Sequence, residues 1–238
     1  MRRDGKPRTQ AEKVAVGTML RMSDQTEKRL QAPARAASAE VAKKREDRAV
    51  LLGALVLLGR RLGDQLTDAI ARGRAEARNA ARRRLREELS GVGVVYTMST
   101  PAIAQAGAKA ADVDVQEARI AADSLVAQWR ALELAAAREG ESERFYRSMG
   151  ARIARTAQTE TARAYNEEHR TVVREMSRVD PELGQRVQRE WSAMIDACSH
   201  CWGHDGERVG LDENFDGGDE PGSMHPRCQC LEYLVASA

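Results

Sequence analysis

The sequence predicts a mainly α protein: long N-terminal helices, then a small α+β C-terminal module of short strands and a Cys/His-stapled tail. Three observations point there. Ala, Arg, Glu and Leu, all good helix formers, recur along the chain, against only two Phe, four Tyr and three Trp. Apolar residues recur at helical spacing from about residue 46 to 178, with breaks near Gly91 and Gly140. All four cysteines and three of the four histidines fall between Trp191 and Leu234. A chain of 238 residues can form one or two domains and bury a real core. Few aromatic rings weaken a compact core, which suits long helices leaning on neighbours or partner subunits.

Residues 1–45 alternate charge with alanine and carry Pro7 and Pro33. This reads as a charged flexible arm, extended or partly helical, with Ala11 to Leu30 its best helical piece. Residues 46–140 read as a long-helix docking region. Its first helix, Glu46 to Leu89, contains a ten-residue apolar run from Ala49 to Leu58, bounded by Arg48 and by Arg60 with Arg61. A membrane span needs about 20 residues. The run is therefore expected to be buried on most sides, in a protein interface, and no membrane partner is expected. Arg82, Arg83 and Arg84, with Arg78 and Arg86, sit toward the helix end, where cations complement the dipole. Gly91 and Gly93 break the helix, and Val92, Val94, Val95 and Tyr96 suit a short strand or connector before Pro101, the best domain boundary. A helix from about Ala110 to Glu139 follows, with Val113, Val115, Ile120, Leu125, Val126, Trp129, Leu132 and Leu134 as candidate buried positions. Gly140 and Glu141 interrupt it, and Ser142 restarts a helix to about Arg178 that Pro181 closes. On that helix Arg152, Arg155, Thr159, Glu160, Arg163 and Asn166 share one polar side or neighbouring sides, with Glu160 and Arg163 as the local ion pair. Gln188 to Ile195 reads as a strand with Trp191, Ala193 and Ile195 on one side.

Charge is uneven along the chain. Through Ser90 there are 22 Lys/Arg against 12 Asp/Glu, whereas from Asp196 onward nine Asp/Glu face only Arg208 and Arg227. A solvated helix face explains the basic half, and non-specific DNA contact through it is the competing reading. The acidic tail repels phosphates.

Within residues 141–238, Cys198 and Cys201 form a CxxC, a loop of 23 residues follows, and His225, Cys228 and Cys230 form an HxxCxC. Soft thiolates and an imidazole in two clusters are what a tetrahedral zinc ion needs, so one structural zinc is the expected cofactor. Reduced thiols in a small core and disulfides are the alternatives. Met1 to Lys6 is basic with no signal-like apolar run after it, which favours a reducing compartment and disfavours disulfides. Any four of the five donors satisfy zinc, with Cys198, Cys201, His225 and Cys228 the first choice and Cys230 the substitute. A strand-like run from Cys228 to Val235 points Cys228 and Cys230 to one face. His200 and His204 stand i,i+4, but Gly203 argues against a helix there, so both read as surface histidines.

The helical stretch RIARTAQTETARAYN, residues 152–166, together with Trp191, Asp196, Cys198, Cys201, Gly206, His225, Pro226, Cys228 and Cys230 in that order, resembles the Mu F-like head morphogenesis family of tailed bacteriophages. The likeness spans about residues 152–234. Gln229 stands where a basic residue is more usual, and Gly222-Ser223-Met224 replaces a proline-rich approach to the histidine. The resemblance implies a minor capsid protein of the virion, in the capsid interior or at the portal vertex, assembled in the host cytoplasm. Its implied partners are the portal protein and other head proteins, such as major capsid or scaffold, with a role in procapsid assembly and DNA packaging or ejection. It does not imply an enzyme. The sequence has no GxxxxGK loop, HExxH helix or GxSxG elbow. A zinc-containing nucleic-acid-binding module is the alternative function, and a hydrolase using Asp196, His200, His204 or Glu160 a third.

Overall fold

The computed structural model describes residues 10–44, 47–94, 101–139, 142–194 and 196–237. Four long helices, α1 (Gln10–Ala42), α2 (Arg48–Gly91), α3 (Pro101–Glu139) and α4 (Ser142–Val179), form a bundle. The remaining elements are α5 (Leu183–Arg186), β1 (Val187–Ser192), α6 (Ser199–Gly203), β2 (Arg208–Val209), a 3₁₀ turn at Asp216–Gly218 and β3 (Leu231–Ala236). The chain is thus mainly α with a small antiparallel sheet of order β2-β1-β3. Arg189 pairs with Val209 on one side of β1 and with Leu234 on the other.

Helices α2 and α4 lie at the centre, each packed on α1 and α3 as well as on one another. Asp47 starts α2 by accepting from the Ala49 and Val50 N–H groups at 2.8 and 3.2 Å. Gly93, at φ 75°, then turns the chain so that Val94 N–H reaches Leu89 O at 2.8 Å. Leu85, Leu89 and Val94 share a core with Val172, Val173, Leu183, Val187 and Leu234. Packing is therefore continuous across the boundary expected at residues 90–101; Val95 and Tyr96 lie outside the described residues, as do Gly140, Glu141 and Ile195.

Residues 10–42 are helical throughout, which corrects the reading of a flexible arm for that part. Met19, Leu30, Ala34 and Val41 are buried against the bundle, and this packing carries α1 past Pro33 despite the lost N–H donor. On α3 the expected positions Leu125, Val126 and Trp129 are buried and Leu132 and Leu134 half-buried, but Val113, Val115 and Ile120 are exposed. The buried stripe is Asp114, Ala118, Ala122, Leu125, Trp129, Glu133 and Ala136, so small and acidic residues occupy positions that branched apolar ones were expected to fill. The Trp129 indole N–H donates to Ser38 Oγ at 2.9 Å.

The apolar run on α2 splits by face. Leu51, Ala54 and Leu55 are buried, whereas Val50, Leu52, Val56 and Leu57 are exposed. No helix among the described residues is long and apolar enough to cross a membrane.

A layer of charge crosses the bundle below that apolar end. Arg74, fully buried, binds Asp114 and Glu160 at 2.7 Å, Glu167 at 3.1 Å, and Glu117. Arg78 binds Asp114 at 2.7 Å and Glu167 at 3.0 Å, and Arg82 binds Glu168 at 2.5 Å. Burial opposes the charge of Arg74, but Glu167, Glu160 and Asp114 hold its pKa above the ordinary value. The local pair expected between Glu160 and Arg163 is present at 3.9 Å, and Arg74 of α2 adds a closer partner at 2.7 Å. Arg78, Arg82 and Arg84, expected to complement the dipole of α2, are held by carboxylates.

Candidate metal centre and its anchorage

Two separated stretches build the tail site. Cys198 caps α6, its Sγ accepting from Cys201 N–H at 3.5 Å, so the CxxC is the cap and first turn of a short helix. The other arm arrives through His225 and Pro226 and turns at Arg227, which takes φ 75°. Arg227 N–H is caught by Thr159 Oγ1 at 2.8 Å, and Asn166 donates to Cys230 O at 2.9 Å while accepting from Glu232 N–H at 3.1 Å. Gly222 lies so close to Asn166 that an added Cβ would stand 2.5 Å from its Nδ2, at a φ of 80°. The polar face of α4 is thus the bed on which the second arm lies.

This fold brings all five expected donors together. His225 Nε2 lies 3.3 Å from both Cys198 Sγ and Cys201 Sγ, and Cys201 Sγ lies 3.8 Å from Cys228 Sγ. Cys198, Cys201 and His225 form one triad, Cys201, Cys228 and Cys230 another, each with its donor atoms within 4.8 Å of one another; Cys201 belongs to both. Zinc bond lengths give tetrahedral edges of about 3.8 Å for S···S and about 3.6 Å for S···N. The donor spacings fit those edges. All four cysteines are free thiols. Cys228 is held far below the ordinary thiol range by hydrogen bonds from Cys201 and Cys230, and Cys201, which keeps its proton and donates it to that bond, is raised; the two shifts are opposite sides of one hydrogen bond. Cys228 and Cys230 precede β3, which starts at Leu231 rather than at Cys228, and both are buried.

The other expected site residues divide. Trp191 is buried, stacks on the His204 ring at 4.6 Å and meets Phe215 edge-on at 5.2 Å. Gly206, at φ 83°, donates its N–H to Trp191 O at 2.9 Å. Pro226 O accepts from His225 Nδ1 at 3.0 Å, which leaves Nε2 facing the sulfurs. Arg155 and Asp196 are exposed. His200 is exposed as expected of a surface histidine, whereas His204 departs from that reading: α6 does form, and His204 is buried.

Beneath the site is an ionic knot the sequence reading missed. His169 of α4 bridges Glu88 of α2 and Glu232 of β3, both at 3.0 Å, and Glu88 also accepts from Leu234 N–H at 3.1 Å. Arg189 of β1 joins Glu232 at 2.8 Å and Glu220 at 3.0 Å. An i,i+4 or alternation pattern cannot show it, because its members come from four elements. Burial works against a charge on His169, yet hydrogen bonds to Glu232 and Glu88 raise it to about 9. A raised imidazole adds stability that is complete below its unfolded pKa, near 6.5, and that fades as pH climbs through about 9. The shift amounts to on the order of 3 kcal/mol. Urea unfolding should therefore give a markedly lower midpoint at pH 10 than at pH 6, with His169→Gln removing most of that difference. Equal midpoints for the wild type at the two pH values would show His169 to be uncharged in the fold.

Comparison with protein-family models, with curated proteins and with solved structures found no match for this chain.

Proposed function

We propose that the chain is a minor head protein of a tailed phage or prophage, associated with the portal, in which the tail is an architectural module stapled by one structural zinc. One observation carries this reading. The two stretches of the family resemblance, distant in sequence, close on each other: Thr159 and Asn166 hold the backbone of Arg227, Cys230 and Glu232 beside the Cys/His donors. That the two stretches pack together supports the reading. Its most connected zinc set is Cys198, Cys201, His225 and Cys228, with Cys230 held in reserve against Cys201 and Cys228.

The exposed side chains Val50, Leu52, Val56 and Leu57 give the bundle an apolar ridge, which supports docking on portal or other head proteins. Nucleic-acid binding is less well supported. Arg74, Arg78, Arg82 and Arg84 are engaged by carboxylates, so these four cations of the basic half are neutralised from within. Co-expression with a portal ring tests the reading. The chain should co-purify with the ring through a salt wash, and Val56→Glu with Leu57→Glu should abolish the association while leaving the circular dichroism spectrum unchanged. A monomer that ignores the ring would overturn the reading, and a salt-sensitive DNA complex in its place would favour the nucleic-acid module.

A further inference from the structure

We infer that His200, His204 and Asp219 form a second metal centre, one that takes a borderline divalent transition ion on two imidazoles and one carboxylate. It is independent of the sulfur cluster and of the portal reading. The single turn of α6 puts His200 and His204 on one side, ring centroids 5.2 Å apart. The loop brings Asp219 to them through the 3₁₀ turn, where Gly217 and Gly218 take φ values of 70° and 77°. One carboxylate oxygen, Asp219 Oδ2, then lies 2.6 Å from His200 Nε2 and 3.2 Å from His204 Nε2. All three donor atoms lie within 4.8 Å of one another, and the edges of a tetrahedral nitrogen–oxygen zinc site are about 3.3 Å.

The surroundings are built like an outer shell. His204 Nδ1 meets Glu207 Oε2 at 2.5 Å, and the other oxygen of Glu207 accepts Asp216 N–H at 2.7 Å. A carboxylate fixed in this way sets the imidazole tautomer with its proton on Nδ1. Nε2 then offers a lone pair to the oxygen of Asp219, one acceptor facing another. A cation between them satisfies both. Trp191 fixes the ring plane from below. Ser199, Asp205, Glu207 and Asp216 line the adjoining cleft, which has a volume of about 550 Å³ and no lysine or arginine along it. Local charge therefore favours a cation. His200 is half exposed, with its side chain 56% accessible, so at least one coordination position faces solvent and takes water or an anionic oxygen ligand. Nitrogen and oxygen donors suit zinc, cobalt or nickel, whereas the softer sulfur set has its own partners a few residues away.

Cobalt(II) titration of the stripped, full-length chain separates the two centres, because a thiolate-bound cobalt shows charge-transfer absorption that a nitrogen–oxygen site lacks. The wild type should take up two equivalents, one with that absorption and one without. His200→Gln, at an exposed side chain, combined with Asp219→Ala, at a partly buried one, should take up one and keep the band. Glu207→Gln should weaken the second equivalent by roughly 10–100-fold. Saturation of the wild type at one equivalent with the band present, or two equivalents in the double variant, would overturn the second centre. One bandless equivalent that the double variant loses would uphold it and instead remove the sulfur site.

Discussion

Cys201→Ser is expected to abolish metal binding at the proposed zinc site and loosen the whole tail, with a stability loss of at least several kcal/mol. Structural zinc contributes about 10–16 kcal/mol to the folding of small peptides that depend on it. Here the bundle carries part of the fold, so only residues from about 196 onward should respond in full. Cys201 is the most demanding position because it is the donor common to both triads and is fully buried, whereas Cys230 belongs to one triad alone. Cys230→Ser should therefore cost less. Hydrogen exchange across Trp191 to Leu234 would localise the effect, and treating the wild type with chelator should reproduce it. Identical melting curves with and without chelator, together with four freely titrating thiols, would mean that the cluster folds as a plain thiol core.

The second large effect is expected from Arg74→Met, which should destabilise the chain by about 3–5 kcal/mol, the range for breaking a buried ion pair from one side. The guanidinium holds Asp114, Glu160 and Glu167 together at distances from 2.7 to 3.1 Å, and Arg78 reaches two of those carboxylates. Without Arg74 the acids repel one another in a buried layer, and Glu167, whose pKa burial already raises, should take up a proton. The loss should therefore shrink as pH falls below about 5, where carboxylates protonate more readily. Arg29→Met, at a pair whose side chains are 37% and 42% accessible, is the control and should change stability by less than about 1 kcal/mol. Equal effects for Arg74 and Arg29 in thermal unfolding would show that the charge layer contributes nothing beyond ordinary surface pairs.

Helix composition and punctuation made much of the bundle legible. Gly91, Gly93, Ser142 and Pro181 lie where helices begin or end, and the split clusters from Cys198 to Cys230 announced a shared centre. What was misjudged follows from treating burial as a property of large apolar side chains. On α1 and α3 the inward stripe relies on alanines, which let helices approach closely, and on Asp114, whose charge is matched by Arg74 and Arg78 from another helix. Spacing within one helix cannot reveal a partner 40 residues away in sequence. Arg74, Arg78 and Arg82 at four-residue intervals were the available clue, since a row of arginines on one face asks where its counterions are. His200 and His204 were set aside because of Gly203, yet a single turn is enough to align them.

The Glu88–His169–Glu232 knot also imposes an order on biosynthesis. Its members leave the ribosome far apart in time, and the last of them lies in β3. Until residue 232 emerges, a nascent chain carries an acid on α2 and an imidazole on α4 without their final counterpart, and the sheet has no third strand. A chain truncated before residue 232 therefore lacks both the knot and the strand that carries its last member.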